Sequence, residues 1–133
     1  MVLGKRKLTK GMHTTFHENT QIATQAAAVT AVTYTAATGD IAAADTVVDL
    51  DTGDAAMALT IPHIEPGRIL VITQVDAGTD GHTVTLTGTG CTFDGTNNTA
   101  TINAQYEALV LLAISDKRFL ILKNYGSVAL SAV

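Results

Sequence analysis

The chain has 133 residues, enough for one compact domain but not for two. With 47% hydrophobic and 15% charged residues it has the composition of a globular protein, and its small supply of charged and aromatic side chains argues against an enzyme. A single cysteine, Cys91, excludes an internal disulfide and any multi-cysteine metal site, and the longest apolar run, residues 108–114, is too short to span a membrane.

The N-terminal region carries half of the positive charge. Four of the eight basic residues lie in the first ten positions, whereas the remaining chain has four basic and twelve acidic residues, a net charge of −8. Residues 1–44 are polar and then rich in alanine and threonine, without a sustained period, so we expect an extended arm with one strand near residues 32–35. The arm residues expected to contact a partner are Lys5, Arg6, Lys7, Lys10, His13 and Phe16. Such an arm can bind nucleic acid, clamp an acidic protein surface, or serve as a solvated tail. No apolar segment follows the basic residues, so a secretory signal is not predicted.

Residues 45–133 are predicted to form the β-rich domain. Short alternating or apolar runs follow one another here, separated by Gly, Asp, Asn and Pro, which is typical of many short strands. The runs are residues 46–50, 56–61, 68–75, 82–87, 91–93, 99–103, 107–115, 118–123 and 127–130. In the second run, Met57, Leu59 and Ile61 are predicted to share one face.

Two of these runs indicate how the domain is built. Residues 82–87 alternate strictly, with Val84 and Leu86 on one face and threonine on the other, which predicts a strand with one buried face. Residues 68–75 are apolar on both faces, which predicts a strand covered on both sides or buried against a partner subunit.

About eight or nine strands in this region predict an all-β fold, a single compact β-sandwich, jelly roll or small barrel. Two apolar runs of similar length on either side of Asp116 and Lys117 predict a hairpin there instead of a helix. No segment of about twenty to fifty residues repeats, which argues against a solenoid or a propeller.

The sequence offers few arrangements that could support catalysis. The serines lie at strand ends and outside any nucleophile-elbow motif, and no glycine-rich phosphate loop precedes a helix. Cys91 and His82 are the one cysteine–histidine pair that could meet across a hairpin, and nothing nearby predicts an activated thiol. We therefore expect no catalytic, metal-binding or cofactor-binding residues.

Metal binding is weakly indicated at three places. His13 and His17 have helical i, i+4 spacing, but the residues between them form a poor helix and no third ligand is close in sequence. The acidic turns at residues 76–80 and 94–98 concentrate oxygen ligands without matching a known calcium-binding loop. Asp and Asn serve equally well to build turns, so turn formation is their expected role.

Several turn-and-strand motifs in the C-terminal two thirds of the chain resemble small structural proteins of tailed bacteriophages and prophages. The motifs are residues 66–73 (PGRILVIT), 76–79 (DAGT), 84–86 (VTL), 92–101 (TFDGTNNTAT), 118–119 (RF) and 127–131 (SVALS). The proteins they resemble are head decoration (cement) proteins or parts of fibres. Because the motifs are turns and strands, they indicate a shape more than an activity.

The resemblance to decoration proteins implies a homotrimer on the outer surface of the virion, seated where capsomers meet and bound to the major capsid protein. The basic arm would then clamp the capsid protein or a neighbouring trimer, and many weak contacts summed over the shell would resist the pressure of the packaged DNA. No cofactor, membrane or direct nucleic-acid partner is expected, because the acidic body has few aromatic residues on which bases could stack.

Two other functions stay open at the level of the sequence. A tail or head-fibre component would be anchored by the arm and would need an exposed patch of aromatic and Asn or Asp side chains for host-surface glycans. Tyr34, Tyr106 and Tyr125 are the tyrosines available for it. A free ligand-binding jelly roll of the lectin or cupin kind would need clustered ligands that His82 alone does not supply.

Overall fold

The computed structural model describes residues 31–51, 55–78 and 80–133. These residues form strands and turns, and none of them belongs to a helix long and apolar enough to cross a membrane. The strands of the described chain are β1 (Ala31–Tyr34), β2 (Thr38–Asp40), β3 (Val47–Leu50), β4 (Ala58–Ile61), β5 (Ile69–Thr73), β6 (His82–Leu86), β7 (Thr99–Ile102), β8 (Ala108–Ala113), β9 (Phe119–Tyr125) and β10 (Ala129–Ser131).

The strands are arranged in two five-stranded sheets that pack on each other. The first sheet has the strand order β1-β3-β5-β8-β9, and the second sheet has the order β10-β7-β6-β4-β2. The predicted all-β class and compact β-sandwich are therefore confirmed. Both sheets are open, and both contain parallel as well as antiparallel pairs.

The first six strands pass alternately from one sheet to the other. As a result β1, β3 and β5 are parallel neighbours in the first sheet, and β2, β4 and β6 are parallel neighbours in the second. Register partners are unequally spaced, with Ala31 opposite Val47 and Val47 opposite Val71, so this winding leaves no repeat in the sequence. From β7 onward each strand is added by antiparallel pairing, and β8 and β9 form the predicted hairpin around residues 114–118.

The hydrophobic core lies between the sheets and is built by strict alternation along the central strands. Met57, Leu59 and Ile61 are each 1% exposed, as their shared face predicts. The Phe93 and Phe119 rings stack with centroids 6.1 Å apart. Burying a side chain of this size contributes about 1.5–3 kcal/mol, so the core supplies most of the driving force for folding.

Arg68 fastens the chain crossing at residues 41–46 to the first sheet. Its guanidinium donates hydrogen bonds to the carbonyl oxygens of Asp45 (3.0 and 2.7 Å) and Ala42 (2.7 Å). Burial lowers the pKa of Arg68, and the nearby Asp45 carboxylate acts in the opposite direction. The same crossing is held from β1, because the Tyr34 hydroxyl donates to the Asp45 carboxylate at 2.6 Å.

Two local features differ from the pattern in the sequence. The expected strand at residues 91–93 is reduced to one parallel bridge between Thr92 and Arg118, because the chain turns on both sides of it. Strand β2 was not predicted, since its Thr-Gly-Asp sequence has no apolar alternation and all three residues are exposed. The described residues before position 45 thus add one strand to each sheet, next to Ile41, which is buried in the core.

The connections define two ends of the sandwich, which we call the upper and lower ends. The upper end carries the loops at residues 74–81 and 103–107, and the lower end carries those at residues 62–68, 87–98 and 114–118.

Candidate functional surface

The six arm residues expected to contact a partner lie outside the described residues, and so do His13 and His17 as possible metal ligands. The arm residues are Lys5, Arg6, Lys7, Lys10, His13 and Phe16. Their role stays a prediction.

The outer face of the first sheet is lined by aliphatic side chains. They form two rows across the sheet, Ile69, Leu112 and Leu120 in one and Val47, Val71 and Val110 in the other. We call these six residues the aliphatic face. Ile69 is 52% and Leu120 is 45% exposed, although each lies beside a buried core residue on its own strand. Strand β5 therefore has the two apolar faces that residues 68–75 predict, one buried in the core and one turned outward.

The outer face of the second sheet is lined by threonines instead. We call Thr60, Thr83, Thr85, Thr99 and Thr101 the threonine face; they belong to β4, β6 and β7. Four of these hydroxyls are bonded locally: those of Thr85 and Thr99 lie 3.1 Å apart, Thr83 donates to the carbonyl of Met57, and Thr60 donates to Asp40. Because these hydroxyls bond within the sheet or to water, the threonine face does not need to be covered by a second protein.

Charged groups of opposite sign border the aliphatic face on its two sides. Lys123 of β9 is in register with Val110, and its ammonium lies 5.3 Å from the centroid of the Tyr125 ring. On the other side, Asp49 of β3 accepts a hydrogen bond from the Val75 amide at 3.0 Å. Burial raises the pKa of Asp49, that hydrogen bond opposes the rise, and nearby carboxylates reinforce it.

A cavity of about 480 Å³ opens at the lower end of the sandwich, a volume that suits a small ligand. His63, Cys91 and Lys117 are among its lining residues. The Lys117 ammonium donates to the carbonyl of Thr89 at 2.7 Å, and the Cys91 thiol donates to the carbonyl of Asp116 at 3.6 Å. The side chains of Lys117 and Cys91 thus bond to the backbone of neighbouring loops and hold those loops together.

The structure separates Cys91 from His82, the pair considered as a dyad. His82 begins β6 at the upper end, whereas Cys91 lies beyond the other end of that strand. His82 is fully buried, and its Nδ1 accepts a hydrogen bond from the Met57 amide at 3.1 Å. The histidine that shares a cavity with Cys91 is His63, a proximity that arises from loop packing and leaves no signal in sequence spacing.

The three tyrosines differ in exposure. Tyr34 is partly buried, with its hydroxyl bonded to Asp45, and burial is the main reason that its pKa is raised. Tyr106 is 69% exposed and Tyr125 is 52% exposed, and both lie at the upper end. Tyr106 also has a backbone φ of 67°, a left-handed conformation that is costly for any residue other than glycine.

The acidic turn at residues 94–98 is a self-contained turn. Asp94 accepts hydrogen bonds from the amides of Thr96 (2.9 Å) and Asn97 (2.7 Å) and from the Asn97 side chain (2.8 Å). The bond from the Asn97 amide is the largest cause of the lowered pKa of Asp94. Among residues 31–51, 55–78 and 80–133, no three His, Cys, Asp or Glu side chains gather as a metal site.

Sequence reasoning found part of this surface. Apolar residues on both faces of the strands around Leu70 and Leu111 fit burial between subunits and predict the outward residues of β5 and β8, but Leu120 of β9 was not predicted. The apolar residues at positions 118–123 follow one another without alternation, so the sequence does not separate the inward Phe119 from the outward Leu120.

Comparison with known proteins gives no relative from which a role could be transferred. No family model matches the chain, and no curated protein matches it either.

Proposed function

We propose that this chain is a structural protein of a tailed-bacteriophage virion, a decoration protein that binds the outer surface of the major capsid protein shell as a homotrimer and stabilises it. The observation that carries the proposal is the aliphatic face of the first sheet. A sandwich that remains a monomer in water is expected to have polar side chains on both outer faces, as the second sheet has on its threonine face. The motifs shared with virion proteins supply the context in which such a face would be covered.

The size of the aliphatic face fits the core of an interface between subunits. Six side chains, each occupying about 4.8 Å across the sheet and about 6.6 Å along its strand, cover an area of roughly 200 Å². A stable interface buries about 800 Å² on each partner, with an apolar centre and a polar rim. Lys123, Tyr125 and Asp49 lie where that rim would be.

A three-fold axis would let three copies use this face together. Each copy can turn its first sheet toward the axis, so that three aliphatic faces meet in one shared apolar core. The positive border at Lys123 of one copy would then approach the negative border at Asp49 of the next, which favours one orientation over others.

The charge distribution supports a separate role for the arm. Residues 11–133 have a net charge of −8, and residues 1–10 hold four basic residues. In our proposal the β-sandwich forms the trimer, and the arm of each copy binds the capsid protein or a neighbouring trimer. Weak arm contacts become effective because the trimer binds through three of them at once.

Binding to capsids tests this proposal. Purified protein is mixed with expanded and with unexpanded shells of the major capsid protein of the same phage, and the bound fraction is measured by co-sedimentation. We expect saturable binding to expanded shells, and at least a tenfold loss of affinity when residues 1–20 are deleted. The matched variant carries glutamine at Lys5, Arg6, Lys7 and Lys10 and separates loss of charge from loss of length. A monomer that ignores both kinds of shell contradicts the proposal.

The exposed tyrosines favour a second candidate, a tail or head-fibre component that binds host-surface glycans. Tyr106 and Tyr125 both lie at the upper end, where amphipathic rings can contact a ligand that has apolar and polar sides. Screening of a glycan array with the intact chain tests it. Binding that is lost in Tyr106→Ala or Tyr125→Ala, together with absence of capsid binding, would favour this function over decoration.

A further inference from the structure

The acidic turn that begins at Asp76 differs from the turn at Asp94, because oxygen atoms in it and beside it are buried without a hydrogen-bond partner in the described residues. Both carboxylate oxygens of Asp76 are buried, and neither has a hydrogen-bond partner in the described part of the chain. Asp94, in contrast, accepts three hydrogen bonds from its own turn. Turn formation therefore accounts for Asp94 and leaves the carboxylate of Asp76 unexplained.

A third unpaired oxygen lies just before this turn and belongs to Gln74. This side chain is fully buried, and its Nε2 donates to the carbonyl of Gly78 at 2.6 Å. That bond fixes the amide orientation, because only the NH₂ group can face a carbonyl oxygen. The remaining atom, Oε1, is buried without a partner within the described residues. The Gln74 side chain thus folds back along the turn in which Asp76 is the middle residue.

The surroundings of this turn add negative charge. Asp49 lies close enough for Asp76 and Asp51 to raise its pKa, although burial is the larger cause. A carboxylate buried without donors is strongly unfavourable, whether its neighbours are apolar groups or other acceptors. A bound cation would supply what these buried acceptor oxygens lack, because they are the kind of ligand that a hard cation prefers.

We propose that this turn binds a calcium ion, with the carboxylate of Asp76 and Oε1 of Gln74 as protein ligands. Calcium accepts carboxylate, amide and carbonyl oxygens in irregular arrangements, whereas magnesium demands a near-ideal octahedron and retains most of its water. One carboxylate and one amide make a weak site completed by water, so we expect a dissociation constant of about 10⁻⁴–10⁻³ M. This inference is independent of the proposed role in the virion.

Thermal unfolding of the full chain with and without calcium tests the site. The protein is freed of metal with a chelator, and its melting temperature is measured in rising calcium chloride against sodium chloride of equal ionic strength. At ten to a hundred times the dissociation constant, calcium binding raises the ratio of folded to unfolded protein about 10- to 100-fold. We expect a rise in melting temperature with calcium that sodium does not reproduce, and a matching heat of binding in calorimetric titration.

Two variants make the test specific. Asp76→Asn removes the charge and keeps the shape, so we expect no response to calcium, and stability without calcium that equals or exceeds that of the unchanged chain. Asp94→Asn alters the other acidic turn and should leave the calcium response intact. The proposal is overturned if the unchanged chain melts alike in chelator and in calcium, or if Asp76→Asn keeps the response. In that case a partner other than a cation pairs with the buried oxygens of Asp76 and Gln74.

Discussion

The two outer faces of this sandwich have the same architecture and opposite chemistry. Both belong to five-stranded sheets whose inner faces share one core, and both are built by residues that alternate with buried side chains. The first sheet presents Val, Ile and Leu outward, whereas the second presents Thr at the corresponding positions. Val and Thr are nearly identical in shape, are both branched at Cβ and both favour strands. The requirement to form a strand therefore does not explain why one face has valine and the other threonine. The proposed trimer explains it, because only the aliphatic face would be covered by other subunits.

The largest expected effect comes from placing a charge on one face and then on the other. Leu112→Asp puts a carboxylate in the centre of the aliphatic face, where association would bury it without a partner. We expect the dissociation constant of the oligomer to rise at least about 1000-fold, equivalent to about 4 kcal/mol. Thr83→Asp is the control on the threonine face and should leave association unchanged. Sedimentation equilibrium measures both, and equal effects of the two variants would remove the distinction between the faces.

A milder comparison exchanges the chemistry of the two faces at constant shape. Val71 and Val110 are register partners in the first sheet, and Thr83 and Thr101 are register partners in the second. Val71→Thr with Val110→Thr should fold normally and weaken association about 30-fold, because two hydroxyls would be buried at about 1 kcal/mol each. Thr83→Val with Thr101→Val should leave association as it was. If Val71→Thr with Val110→Thr leaves association unchanged, the aliphatic face is not the interface between subunits.

The threonine face can be tested by itself through the paired hydroxyls of Thr85 and Thr99. Thr85→Val leaves the Thr99 hydroxyl, which is nearly buried, without its partner. We expect the free energy of unfolding to fall by about 1 kcal/mol, and the double change to valine at both positions to recover most of that loss. Urea unfolding measures the cycle. Additive losses would mean that the two hydroxyls do not act as a pair.

The smallest effects are expected from two aspartates whose pKa values shift in opposite directions. Hydrogen bonds lower the pKa of Asp94, so its carboxylate stabilises the fold above about pH 4 and that contribution is lost as pH falls through its folded value. Burial raises the pKa of Asp49, so ionisation of Asp49 destabilises the fold as pH rises above about 4.

Neutral variants should therefore change stability in opposite directions at pH 7. Asp94→Asn should lower the free energy of unfolding and Asp49→Asn should raise it, each by less than about 1 kcal/mol because solvent screens both groups. Both differences should shrink as the pH falls toward 3, because a growing fraction of the carboxyls is then protonated in the folded and the unfolded states. Urea unfolding at the two pH values checks the signs, and changes of the same sign would refute the assignment.

For strands that alternate, the sequence predicts which face is buried, but it does not predict which strands are neighbours. Alternation in residues 82–87 places Val84 and Leu86 in the core, and the register of β6 confirms it. Alternation does not specify a partner, so the parallel winding of β1 to β6 was not predicted. Strand β2 was not predicted, because its Thr-Gly-Asp sequence has no apolar alternation and it is a strand through its pairing with β4.

The aliphatic face was also predicted only in part, because it too depends on which strands are neighbours. Two-sided apolarity in residues 68–75 indicated an outward apolar face, but its continuation onto Leu112 and Leu120 depends on pairing across three strands. The contrast between Asp76 and Asp94 depends on individual hydrogen bonds, and their two turns have similar compositions. Such differences arise from tertiary packing, which composition does not encode.

The mass of the purified chain in solution distinguishes the proposed trimer from a monomer. The chain mass is 13.8 kDa, and we expect a particle of three times that mass over a wide range of concentration. Analytical ultracentrifugation of the unchanged chain beside Leu112→Asp should show a trimer and a monomer respectively. A monomer for the unchanged chain at high concentration would rule out the trimer, because the aliphatic face would then be stable in contact with water.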